Sequence, residues 1–232
     1  MNPILFLLRQ HVEQGLIIAL VLAMFTGFIV LALFLNKRTM DRCWNNAIAI
    51  ADELNIPAVK PEIGWFTRKL PFIKGVYRNH QISLHTEIRG SGKHRHPYTI
   101  ITIIVPEIKF DLEVYKEGFF SKIGKAFGMQ DIQTGFDDFD KKFMLRSADE
   151  QSALKTFDMD LCARFTESHP ILNSGIYVKS RILSYTEMTH LTSERKRDNY
   201  RAIIQLSYDL IAKVEKPGTK LSGGMRSSGT IF

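Results

Sequence analysis

From Gly15 to Leu35 the chain reads GLIIALVLAMFTGFIVLALFL, 21 consecutive positions without a charged residue. A helix rises about 1.5 Å per residue, so the run matches the ~30 Å hydrocarbon core of a bilayer. It predicts a transmembrane helix. A cleaved signal peptide has a shorter apolar core, about 7–15 residues, and ends in a small-residue cleavage site. This run instead ends LALFLNK. A buried soluble helix of that length would show a polar face.

Lysine and arginine are retained on the cytoplasmic side of a span. Arg9, His11 and Glu13 precede this one, whereas Lys37, Arg38 and Arg42 follow it with a single acid, Asp41. The bias predicts that this single-pass protein has its short N-terminus outside and its body in the cytoplasm. Two lone cysteines, Cys43 and Cys162, form no CxxC or metal-ligand spacing and fit a reducing compartment as small apolar-like residues. Within the span, Ala19, Ala23 and Gly27 recur every four residues on one face, a groove through which a homodimer would pack.

The chain divides into a tail and span at 1–35, a juxtamembrane helix and packed linker at 36–72, an α+β domain at 73–216 and a flexible Gly/Ser-rich tail at 217–232. Met40, Trp44, Ala47, Ile48, Ala51 and Leu54 recur at three- and four-residue steps until Pro57 halts the pattern. The following linker has Trp65, Phe66 and Phe72 as residues to pack it down. QISLHTEI alternates apolar and polar, which is the period of a half-buried strand with His85 on its polar face. YTIITIIV is apolar on both faces and suits a central strand covered on both sides. FDLEVYKE alternates again, and Phe120, Ile123 and Phe127 suggest a short helix after it.

The second half reads as a strand, a helix, two strands and a helix. Ser147-Ala-Asp-Glu150 has the form of a capping box, with Leu154, Phe157, Leu161 and Phe165 as one apolar stripe behind it. GIYVKSRILSYTEM reads as a pair of strands. The last helix, about Ser193–Val214, has Tyr200, Ile203, Leu210, Ile211 and Val214 as its buried residues. The fold class is α+β: an N-terminal transmembrane helix, then an antiparallel sheet packed against two main helices, at about 149–167 and 193–214.

No stretch carries the pattern of a cofactor, metal or catalytic site. GSGKHRH (Gly90–His96) lacks the GxxxxGK[ST] spacing that opens a helix in a phosphate-binding loop, and Pro97 and a strand follow it. It reads as a hairpin loop. His80, His85, His94 and His96 lie within one hairpin, but Lys93 and Arg95 oppose a cation there, so they read as solvated histidines. In TGFDDFDKKFMLRS the three acids Asp137, Asp138 and Asp140 lack the alternation, central Gly and distal Glu of a calcium loop. They read as solvated acids on a turn. Phe136, Phe139 and Phe143 would bury together beneath that turn, as a structural corner.

The string GFDDFDKKFMLRSADEQSALKTF, with GVYRNHQISLHTE upstream and the N-terminal span, resembles a bacterial family of membrane-anchored proteins of unknown function. In that family an FD-x-x-F element precedes a strand and an S/D-rich helix start. The resemblance implies an anchored α+β domain in a prokaryotic membrane and carries over no catalytic residue.

The remaining signal is charge, 31 Lys and Arg against 24 Asp and Glu, a net +7. Between Asn36 and His80 eight basic residues face four acids, hence +4, and Lys37, Arg38, Arg42, Arg68 and Lys69 are the expected contacts with an anionic lipid surface. No aromatic-basic platform or recognition helix accompanies the charge, so nucleic acid is not the expected partner. The sequence favours a non-enzymatic tether, scaffold or binding domain. The alternatives are a membrane-associated hydrolase or lipid-modifying enzyme using Asp137, Asp138 or Asp140 with a histidine such as His80, and an accessory subunit of a membrane transport complex.

Overall fold

The computed structural model describes residues 3–60, 70–116 and 130–215. One helix, α1 (Pro3–Glu53), runs unbroken from the apolar segment into the body. It is the one described helix long and apolar enough to cross a membrane, and none of its most apolar window is buried against the rest of the protein. Burial begins at Met40 and continues through Cys43, Trp44, Ala47, Ile50 and Ala51. Of the expected stripe, Ile48 and Leu54 are only partly buried. The helix stops before Pro57: Asn55 adopts φ 53°, the Asn55 amide bonds to Asp52 O and the Ile56 amide to Ala51 O. That pair of bonds is a Schellman cap, and it turns Ile56 into the core.

Eight strands follow: β1 (Phe72–Tyr77), β2 (His80–Arg89), β3 (His96–Ile104), β4 (Leu112–Lys116), β5 (Gln130–Ile132), β6 (Phe143–Ser147), β7 (Ile176–Lys179) and β8 (Ile182–Glu187). They form one sheet in the order β1-β2-β3-β8-β7-β4-β6-β5, with every pairing antiparallel. The β7–β8 hairpin is inserted between the first meander and the rest. Its turn, Ser180-Arg181, and the β1–β2 turn, Arg78-Asn79, each place two residues at positive φ, as two-residue hairpins of matching twist require.

The register aligns Ile73, Leu84, Ile101, Tyr185, Ile176, Val114, Leu145 and Ile132 across all eight strands. None of the eight is more than 4% exposed, so this row is the floor of the core. Above it lie α1, α2 (Asp137–Asp140), α3 (Glu150–Thr156), α4 (Met159–Ser168) and α5 (Glu194–Glu215). The α+β architecture expected from the sequence is therefore present. On the opposite face Ile100 is buried but Ile104 is 41% exposed, so β3 is covered on both sides over only part of its length.

Several local expectations need correction. The stripe from Leu154 to Phe165 is two helices, because Asp158 interrupts it and caps α4 by accepting the Leu161 amide. Burial alone would raise the Asp158 carboxyl, but Lys213 and the Leu161 amide outweigh it and hold it low. The cap of α3 is Asp149, not Ser147; its carboxylate accepts from Ser152, whose hydroxyl and amide depress its pKa. Ser147 ends β6, and its hydroxyl donates to Asp111 O. Phe72 is exposed rather than packed down, and Val214 is only partly buried. Strands β1 and β5 have no counterpart in the sequence reading. Trp65, Phe66, Arg68, Lys69, the segment around Phe120–Phe127 and the 217–232 tail lie outside the described residues.

Candidate functional site

Three places carry the sequence's candidate chemistry: the FD-x-x-F corner, the histidine-bearing end of β2 and the surface of α1. At the corner, the Gly135 backbone turns at φ 81° and the chain enters α2. Asp140 accepts the Thr134 amide and hydroxyl at 3.0 and 2.8 Å, and the Gly135 amide at 3.0 Å. This carboxylate is thus committed to closing the turn, which corrects its reading as a solvated acid. Asp137 and Asp138 are exposed, and Asp137 faces Lys141 at 3.7 Å.

Beneath the turn Phe139 and Phe143 stack at 5.3 Å, and both rings meet Phe165 edge-on, at 6.1 and 5.8 Å. Phe139 also lies 5.5 Å from Phe157. Phe136 is partly buried against the same core. The rings pack as expected, although Phe143 joins from β6 rather than from the helical turn. Between α2 and α4 runs an open groove of about 460 Å³ lined by Phe136, Asp137, Asp138, Met159, Ala163 and Thr166. No histidine is among the described residues that line it.

Replacing Asp140 by Asn should cost about 2 kcal/mol, because the amide keeps one acceptor and turns a donor toward the backbone N–H groups. Asp138→Asn, on the exposed side of the same helical turn, should change stability by less than about 0.5 kcal/mol. Denaturant melts of the two variants in detergent check the contrast.

His80 is buried, at 7% exposure, not solvated. It shares the parity of Ile82 and Leu84 on β2, so its placement on the core face was readable from the alternation. Its Nε2 lies 2.6 Å from Glu215 Oε1 and 3.8 Å from Glu107 Oε2, and its ring packs on Tyr208. The sequence reading missed this cluster because Glu107 and Glu215 are remote in the chain. The three ligand atoms are close enough to hold a cation. A ligating histidine, however, ordinarily donates its other ring N–H to a partner, and the buried His80 Nδ1 has none among the described residues. The arrangement works as a clamp holding the end of α5 to β2. From β2 to β6 is five strand spacings, about 24 Å, so His80 is not brought to the acids of the corner.

Along α1, Arg38 and Arg42 are exposed and Lys37 is partly so; Ala19, Ala23 and Gly27 are exposed on the apolar stretch. Both thiols are buried, and burial pushes Cys43 and Cys162 each up to about 11, which leaves them unreactive near neutrality. Burial likewise holds His85 and His190 below the ordinary imidazole range. His94 and His96 lie exposed at the tip of the β2–β3 hairpin.

Fold and site define an α+β domain carried on one long helix whose N-terminal part is apolar enough to span a bilayer. No family model matches the chain, and no curated protein matches it. Among solved structures it is similar to the crystal structure of the mycobacterial trehalose monomycolate transport factor A, TtfA, with a TM-score of 0.48 and 9% identity, over 74% of this chain and 94% of that one. Likeness at that level says nothing about the chemistry or partners of this chain.

Proposed function

We propose that this chain is a single-pass, non-enzymatic scaffold that holds a binding domain rigidly against the cytoplasmic face of a bacterial inner membrane; of this, the family resemblance supports only an anchored α+β domain in a prokaryotic membrane. The observation that carries the reading is the unbroken passage of α1 from its apolar stretch into the core between Met40 and Ala51. A flexible linker would leave the domain free to tumble; a continuous, docked helix fixes its height and orientation. The groups named for acid-base chemistry are not brought together: Asp140 is held by Thr134 and Gly135 and His80 by Glu215, while Asp137 and Asp138 stand exposed five strand spacings from that histidine. This disfavours a hydrolase built on them.

A role as accessory subunit of a membrane complex draws support from the exposed apolar surface of α1, which packs against nothing among the described residues. Pairing through Ala19, Ala23 and Gly27 would make that partner a second copy. The anchor and its orientation are tested together. The chain should stay in the membrane pellet through alkaline carbonate, and in intact cells an impermeant thiol reagent should label a cysteine placed at Asn2 but not one at Gly229. Carbonate release would remove the anchor, and the reverse labelling would put the body outside.

A further inference from the structure

The contacts of α1 fix which end of the sheet faces the bilayer. Nearer the apolar stretch, Asn46 donates to Leu191 O at 2.9 Å; farther from it, Glu53 pairs with Arg201. The Leu191 loop leads to β3, because Thr99 Oγ1 donates to Thr189 O at 2.9 Å, and Tyr200 at the start of α5 donates to Thr99 O. At the other end, Arg78 reaches Gln205, Tyr208 reaches Tyr77 O, and His80 reaches Glu215. Strand β2 therefore runs, from His80 to Arg89, toward the membrane.

Beyond the Thr86–Thr99 pair, β2 and β3 continue for three more pairs, to Arg89–His96. That extension is about 10 Å. From Asn46 back to Lys37, α1 covers about 14 Å. With the turn added, the hairpin tip lies within roughly one helical turn of the level of Lys37, where the apolar stretch ends.

The tip is GSGKHRH, with Lys93, His94, Arg95 and His96 all exposed and no acid among them. Neither Lys93 nor Arg95 has an ion pair among the described residues. Gly90, at φ 98°, makes the turn compact, since a Cβ there would collide with the His94 carbonyl. The acids at this end are engaged or local: Glu87 holds Arg89, Glu187 takes Tyr185 and Asn173, and Asp198 holds Arg197 and Arg201. Glu194 is offset by its neighbour Arg195.

We infer that the β2–β3 hairpin tip is a second membrane contact, in which Lys93 and Arg95, flanked by His94 and His96, rest on anionic phospholipid headgroups of the bilayer that α1 enters. The inference rests on the anchored reading of α1. Its support is the combination of unpaired cations with a position at headgroup level. A nucleic-acid ligand would use the same charge but would not explain that position.

The test uses the full chain in lipid nanodiscs, with or without phosphatidylglycerol in phosphatidylcholine, and fluorophores on Ser91→Cys at the tip, Lys179→Cys at the far end of the sheet, or Thr26→Cys in the helix. Native Cys43 and Cys162 are buried and stay unlabelled. A headgroup nitroxide should quench the Ser91 label in phosphatidylglycerol discs, quench it weakly in neutral discs and spare the Lys179 label. An acyl-chain nitroxide should quench the Thr26 label in both. Lys93→Gln and Arg95→Gln should each weaken tip contact about fivefold, the fold-change expected per cation at an anionic surface. A quenched helix label with an unquenched tip, or tip quenching independent of lipid charge, overturns the inference and leaves the anchor standing. A tip protected by added RNA but not quenched overturns it in favour of nucleic acid. An unquenched helix label overturns the anchor and this contact with it.

Discussion

Phe139→Ala should destabilise the body by about 3–5 kcal/mol, the range for truncating a fully buried aromatic ring. For a domain of this size that lowers the melting temperature by roughly 10 °C. The ring is 1% exposed and touches Phe143, Phe157 and Phe165, so its loss opens a cavity where α2, β6, the α3–α4 junction and α4 meet. The three neighbours are anchored in separate parts of the chain, β6, the α3–α4 junction and α4, and cannot collapse together to fill it. Melting of the full chain in detergent, compared with Asp138→Asn, is the measurement. An unmoved Phe139→Ala beside a destabilised Asp138→Asn would mean that the carboxylates, not the rings, hold the corner.

Periodicity made most of this fold legible, and its failures have identifiable causes. The apolar run of α1, the alternation of β2 and the stripe of α5 are long enough for burial to write a pattern. Strand β1 alternates in burial but not in sequence, because Phe72 and Val76 fall on its exposed face and Gly75 packs against Ile56, while β5 has only three residues, too few for a period. The break between α3 and α4 is hidden because Leu154, Phe157, Leu161 and Phe165 keep helical spacing across it. Asp158 marks the restart, but an aspartate inside an apolar stripe is also what one solvated position looks like.

The chemistry was less legible, because it depends on which ends of elements meet. His80 could be put on the core face by parity, yet its partner Glu215 stands 135 residues away. The hairpin tip announced its charge in GSGKHRH, but the headgroup-level position inferred for it rests on register and on the docking of α1 on α5. Charge is local in the sequence, and position is not.

That docking is open to a single substitution. Ala47 is completely buried in the α1 stripe of the core, and Ala47→Asp would force a carboxylate into it with no cation designed to meet it. An unpaired buried charge costs several kcal/mol, at least ~3, so the helix should undock or the body should melt at a much lower temperature. Asn45→Asp adds the same charge two positions earlier on the exposed side, beside Lys60, and should be nearly neutral. Hydrogen exchange separates the outcomes: in Ala47→Asp the amides from Met40 to Ile56 should lose protection, while those of the apolar stretch, held by lipid, keep theirs. The same variant in nanodiscs should lose quenching of the Ser91 label and retain that of the Thr26 label, because a domain released from its mount no longer presents the hairpin to the bilayer. If Ala47→Asp left both protection and tip quenching intact, the continuous helix would not be what sets the domain's position, and the scaffold reading would lose the observation that carries it.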